Sequence, residues 1–88
     1  MKVRLFGTDS CDKCAAMMNG FHKRRVVYIY INIDLDSTQE LCDRYQIDEV
    51  PHVQILNDAG LVMYEHVGFI EVSQLLNIAA NYDKKFNK

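Results

Sequence analysis

Apolar residues along the chain fall either into short continuous runs or into stripes at helical spacing, and the two kinds of segment set the order of elements. Val3-Arg4-Leu5-Phe6 is a short run closed by Gly7 and reads as a strand. Beyond Thr8-Asp9-Ser10, the residues Cys14, Met17, Met18 and Phe21 recur at i, i+3, i+4 and i+7, which is one face of a helix. Asp9 or Ser10 is the expected cap, Asn19-Gly20 weakens the helix interior, and the basic run Lys23-Arg24-Arg25 suits a helix C-terminus. Val26 to Ile33 is continuous, β-branched and aromatic, the pattern of a strand buried on both faces and paired in parallel. These three segments form a βαβ unit.

The second half repeats the logic in a different order. Ser37-Thr38-Gln39-Glu40 has the form of a capping box, opening a helix that carries Leu41, Cys42 and Tyr45. That helix must stop before Val50-Pro51, because the residue preceding proline is pushed out of the helical region. His52 to Asn57 and Leu61 to Val67 read as strands joined through Asn57-Asp58-Ala59-Gly60, with Gly68 ending the second. Val72, Leu75, Leu76 and Ala79 mark a last amphipathic helix, and Asp83 to Lys88 is a polar tail expected to fray. Residues 1–88 therefore read as one domain with the order βαβ followed by αββα. No internal repeat or linker interrupts it.

Composition narrows the class. At 88 residues and 49% hydrophobic, the chain can build one core and not two. A net charge of -2 argues against a general nucleic-acid binder, which needs clustered Lys and Arg. No apolar run reaches membrane-spanning length, and the start lacks the apolar stretch of a secretory signal, so a cytoplasmic location is expected. Three cysteines are an odd and sparse set for a secreted disulfide scaffold. In a reducing compartment, Cys11-Asp12-Lys13-Cys14 instead suggests redox or metal chemistry.

A Cys-x-x-Cys between the first strand and helix, Val50-Pro51 ahead of the hairpin, and Gly68 just after it together resemble the thioredoxin superfamily. The length is similar to that of a small glutaredoxin or glutaredoxin-like thioredoxin, and the likeness covers roughly Val3 to Tyr82. The resemblance implies an α/β thioredoxin-like fold: a four-stranded mixed sheet in the order 2-1-3-4 with three helices around it. It also implies a cis Pro51 close to the cysteines, with the Val50 backbone free to pair with a substrate. The departures are specific. Asp12-Lys13 replaces the Gly-Pro or Pro-Tyr common between such cysteines, and Ser10 stands where thioredoxins carry tryptophan. Leu5 and Tyr30 occupy the places of a buried acid and its lysine partner, and Glu49 that of the glutaredoxin threonine. The Gly-Gly-x-Asp-Asp-like element of glutaredoxins is reduced to Gly68-Phe69-Ile70-Glu71.

The implied activity is thiol–disulfide exchange. Cys11, at the start of a helix, is the expected nucleophile, with a thiol pKa below the free value of ~8.5, and Cys14 is the resolving thiol. Lys13 favours the thiolate and Asp12 opposes it. His52 has two readings, an imidazolium near the cysteine pair or a surface strand residue. Val50, Pro51 and Gly68 are the expected substrate-binding residues. Substrates would be protein disulfides or glutathione mixed disulfides, with glutathione or a reductase as electron donor and no bound cofactor. Two alternatives stand beside this: a non-enzymatic adaptor using the Val50-Pro51 edge, and a metal site. For the latter, Cys42, His22, His52 or His66 would have to complete what Cys11 and Cys14 begin.

Overall fold

β1 (Lys2–Gly7) and β3 (His52–Leu56) take the middle of the sheet, since both strands carry buried side chains on both faces. The computed structural model describes residues 1–86, with side chains through Tyr82. β1 pairs in parallel with β2 (Tyr28–Asn32) and antiparallel with β3, which pairs antiparallel with β4 (Val62–Val67). The resulting order is β2-β1-β3-β4. Helices α1 (Asp12–Lys23), α2 (Gln39–Tyr45) and α3 (Val72–Phe86) complete the expected architecture.

Strand periodicity divides the core in two. Val3, Leu5, Val53 and Ile55 meet Met17 and Phe21 of α1 and Val72, Leu75 and Ala79 of α3. The alternate residues Arg4, Phe6, His52, Gln54 and Leu56 belong to the other face, where Tyr45 of α2 lies 6.5 Å from the Phe6 ring. Cys42 is free and buried on α2, as its place beside Leu41 and Tyr45 indicated.

Four local expectations change. β2 is parallel as its composition implies, but it is an edge strand and not buried on both faces: Val27 is 90% and Ile29 47% exposed. Val27 and Ile29 lie on the α2 face of the sheet, where the contact of α2 is that of Tyr45 with Phe6 of the central strand β1. The capping box does not form. Thr38 donates its hydroxyl to the Asn32 and Leu35 carbonyls, Gln39 donates to Ile33 and Leu35, and a 3-10 turn over Asp36–Thr38 leads into α2. Asp9 and Ser10 do not cap α1, a role taken by Cys11. Finally, α3 continues to Phe86, four residues into the segment expected to fray, while Asn87 and Lys88 lie outside the described residues.

Helix α1 runs unbroken through Gly20 and ends where Arg25 adopts a left-handed φ of 56°. There the Val26 amide donates to the Phe21 carbonyl, closing the helix end. Gly20 persists in the helix because α3 leaves it no room for a side chain: a Cβ would lie 2.6 Å from Val72 Cγ2. The hairpin forms as expected, with Gly60 at φ 85° and Asn57 Oδ1 accepting the Leu61 amide.

Gly20→Ala thus sets a gain in helix propensity against a clash with a stiff, buried valine. The net expectation is a loss of about 1–2 kcal/mol, because overpacking outweighs propensity at this site. Thermal melts of Gly20→Ala, Val72→Ala and the double variant check this: the double variant should recover the clash component.

Candidate functional site

The cysteine pair is built on the end of β1. Gly7 closes that strand, and a Cβ there would sit 3.0 Å from Cys14 Sγ and 3.2 Å from the Tyr30 ring. Only a glycine lets the first turn of α1 settle so closely onto the sheet. The chain then turns through Thr8, whose carbonyl accepts the Cys11 amide, and Cys11 enters the helix with extended backbone angles (φ -91°, ψ 110°). Its sulfur accepts the Cys14 amide at 3.1 Å, which makes the cysteine itself the N-cap. Cys11 and Cys14 are disulfide-bonded, with Cα atoms 5.2 Å apart. Cys14 is fully buried and Cys11 half-buried, while Asp12 and Lys13 are exposed on the first turn.

Asp9, no longer needed as a cap, ties the loop to β2: its carboxylate accepts from Tyr30 Oη at 3.2 Å and Asn32 Nδ2 at 3.4 Å. Burial pushes the Tyr30 phenol above its ordinary pKa, and its bond to Asp9 adds to the shift.

The antiparallel register brings the start of β3 to the same end of the sheet, with His52 opposite both Phe6 and Val67. The Val50–Pro51 peptide bond is cis, Pro51 is buried and Val50 half-buried. The Pro51 carbonyl accepts the Gly68 amide at 2.8 Å, and Gly68 has a φ of 92°, a conformation that favours glycine. Cys11, Cys14, Val50, Pro51 and Gly68 therefore share one end of the sheet.

No protein-family model matches the chain, and no curated protein matches it in sequence. Solved structures do match in shape. Thioredoxin 1 from Thermosipho africanus superposes with a TM-score of 0.77 at 21% identity, over the whole of both chains. A mutant thioredoxin from Halobacterium salinarum gives the same TM-score, 0.77, and identity, 21%, over 91% of this chain and 72% of that one. A thioredoxin-fold protein from Helicobacter pylori gives 0.75 at 19%, over 89% of this chain and 65% of that one. The chain has the thioredoxin fold. At these identities the likeness is one of architecture.

Within the thioredoxin fold, His52 is neither a surface residue nor turned toward the buried cysteine. It is 6% exposed and lies on the face shared with Phe6 and Tyr45, whereas Cys14 packs at Gly7 on the α1 face. Its Nε2 is 2.8 Å from Glu65 Oε1, which also accepts from Gln54 Nε2 at 2.8 Å. Gln54 Oε1 in turn accepts from Arg4 Nη1 at 3.0 Å, and the Arg4 guanidinium lies 5.4 Å from the Tyr45 ring centre. A polar chain thus crosses three strands behind the cis-proline. Arg4, Gln54 and Glu65 are not among the site residues read from the sequence; the signal is a polar residue at an inward position of two apolar strands, Arg4 in β1 and Gln54 in β3, with Glu65 opposite Gln54 on β4. His52 also floors a groove of about 220 Å³ with Gln46, Asp48, Glu49 and Val67.

His22 pairs with Tyr28 and His66 with Tyr64, both away from the cysteines. Cys42 lies on the α2 side, across the sheet from Cys14. Among the described residues no group of three or more His, Cys, Asp or Glu is placed to hold a metal ion. Nor is any helix long and apolar enough to cross a membrane.

The Glu65 carboxyl is held below its ordinary pKa: desolvation raises it, but the bonds from Gln54 and His52 together lower it further. A depressed carboxylate stabilises the fold above its unfolded pKa and loses that contribution as pH falls through the folded value. The melting-temperature gap between wild type and Glu65→Gln should therefore be largest near neutrality and shrink below about pH 4. Melts across pH 3 to 7 test it (roughly the range of carboxylate titration), and a gap independent of pH would contradict the assignment.

Proposed function

We propose that the protein is a thiol–disulfide oxidoreductase that exchanges two electrons between Cys11–Cys14 and a substrate disulfide. The observation that carries this reading is the bonded pair itself: a half-buried sulfur at a helix N-cap, backed by a fully buried one, in a thioredoxin fold. Free amides and the positive end of the α1 dipole favour a negative sulfur at Cys11. In the reduced protein the Cys11 thiolate attacks one sulfur of the substrate disulfide. An S–S bond forms between protein and substrate, and the first substrate thiolate leaves and takes a proton. Cys14 then loses its proton and attacks Cys11 Sγ, breaking the mixed disulfide and releasing the second substrate thiolate. The substrate gains two electrons and two protons, and the protein is left with the Cys11–Cys14 bond.

Each remaining residue has an assigned part. The Val50 backbone beside Pro51, together with Gly68, offers a short edge on which the substrate segment around the disulfide can pair. Lys13 favours the thiolate and Asp12 moderates it. His52, held on Glu65, acts on the pair only through the backbone of the Pro51 segment. The substrates are disulfide-bearing proteins or glutathione mixed disulfides, and glutathione or a protein reductase restores the dithiol in a reducing, cytoplasmic setting.

Cys11→Ser should abolish reduction of a model disulfide such as insulin. Cys14→Ser should accumulate a mixed disulfide visible by intact mass. Alkylation of the reduced protein as a function of pH should place the Cys11 thiol below the free value of ~8.5. Disulfide reduction that survives in Cys11→Ser would falsify the assignment.

A further inference from the structure

The two edges of the sheet are treated differently. β4, the edge beside β3, carries Glu65 and His66 and a register irregularity opposite Ile55 and Leu56, devices that discourage another strand from pairing. β2 carries none of these: from Val26 to Ile33 there is no charge, no proline and no glycine. Its backbone is also open. The Ile33 amide donates to the Gly7 carbonyl, and the period-two alternation of a parallel ladder then directs the backbone groups of Ile29 and Ile31 toward β1. Those of Tyr28 and Tyr30 point outward, with no partner among the described residues. Beside them Val27 and Ile29 lie exposed on the side that α2 leaves uncovered. The two tyrosine hydroxyls are held within the chain by His22 and Asp9, so both rings stay in place while the outer backbone remains free.

The charges at the ends of β2 say what fits. Lys23-Arg24-Arg25 precedes the strand and Asp34 and Asp36 follow it, all exposed, and none has an ion-pair partner among the described residues. An edge that is positive at its start, neutral along its length and negative at its end is complementary to itself when turned antiparallel. We propose that β2 is a self-association edge, pairing antiparallel with β2 of a second copy about a twofold axis at Ile29. In that register Tyr28 of one copy lies opposite Tyr30 of the other, so the outward amides and carbonyls satisfy each other. Ile29 meets Ile29 and Val27 meets Ile31, and the basic end of each strand, with Arg24, comes to lie beside the acidic end of its partner's, with Asp34. The interface is isologous and closes as a dimer, joining two four-stranded sheets into one and leaving the cysteine ends of both copies outside the seam.

Sedimentation equilibrium of the full chain, from micromolar to millimolar concentration and with reductant present to exclude disulfide-linked species, should give a reversible rise to twice the chain mass. Ile29→Lys places two like charges on the axis and should remain monomeric, with far-UV circular dichroism showing that it is folded. Arg24→Glu and Asp34→Lys should each weaken association about tenfold by setting like charges opposite one another. An equimolar mixture of those two should recover association, since each then faces its complement. A wild type that stays monomeric throughout, an Ile29→Lys variant that still doubles in mass, or a mixture no stronger than its components would each overturn the proposal. A monomeric wild type that binds a strand from some other protein would also do so.

Discussion

The close approach of Cys14 to Gly7 is the contact on which the redox end of the molecule rests. With no Cβ on Gly7, α1 descends onto the end of β1 far enough to bury the Cys14 sulfur completely. That same descent leaves Cys11 at the rim of the helix, where its sulfur takes the Cys14 amide and serves as the cap. A serine or aspartate cap would have satisfied the same amide, but it would have separated capping from chemistry. Here the sulfur proposed to become a nucleophile is also the group that receives the helix's free donor. The other end of α1 depends on a second glycine approach, at Gly20, which brings α3 against it. Between the two glycines α1 is pinned to the sheet at one end and to a helix at the other.

The sheet separates the two kinds of interior. Toward α1 and α3 the buried side chains are apolar, and toward α2 the sheet carries the Arg4–Gln54–Glu65–His52 chain across three strands. Buried polar side chains are tolerable only when all are satisfied, and among the described residues none of the buried side-chain nitrogen or oxygen atoms lacks a partner. The consequence for the site is directional. His52 follows the cis-proline in sequence, yet its imidazole is committed to Glu65 on the face away from Cys14. A residue on the neighbouring strand therefore decides which way the side chain next to the cis-proline is committed.

Much of this was legible in the chain. The spacing of Cys14, Met17 and Phe21, the continuous run after Val26, the break at Val50-Pro51 and the hairpin at Asn57–Gly60 are local signals, and all the elements they mark are present. The sheet order followed from the resemblance those motifs carry. Three expectations changed through contacts made in the tertiary structure. Ser37 and Glu40 do not form the capping box because Thr38 and Gln39, bonded to carbonyls of Asn32, Ile33 and Leu35, hold the segment in a 3-10 turn ahead of α2. β2 was left as an edge with Val27 and Ile29 exposed, and His52 gained Glu65 because the hairpin register set Glu65 opposite Gln54, diagonal to His52 on the same face.

The sequence by itself determined which segments are helices and strands, and which two sulfurs sit one helical turn apart, because these depend on periodicity and backbone freedom within a few residues. Only the tertiary structure decided which face of the sheet each polar side chain entered, which strand was left as an open edge, and that Cys11 caps its own helix. Those outcomes depend on contacts between residues as far apart as Arg4 and Gln54, whose meeting is set by strand register and packing and by nothing within either segment.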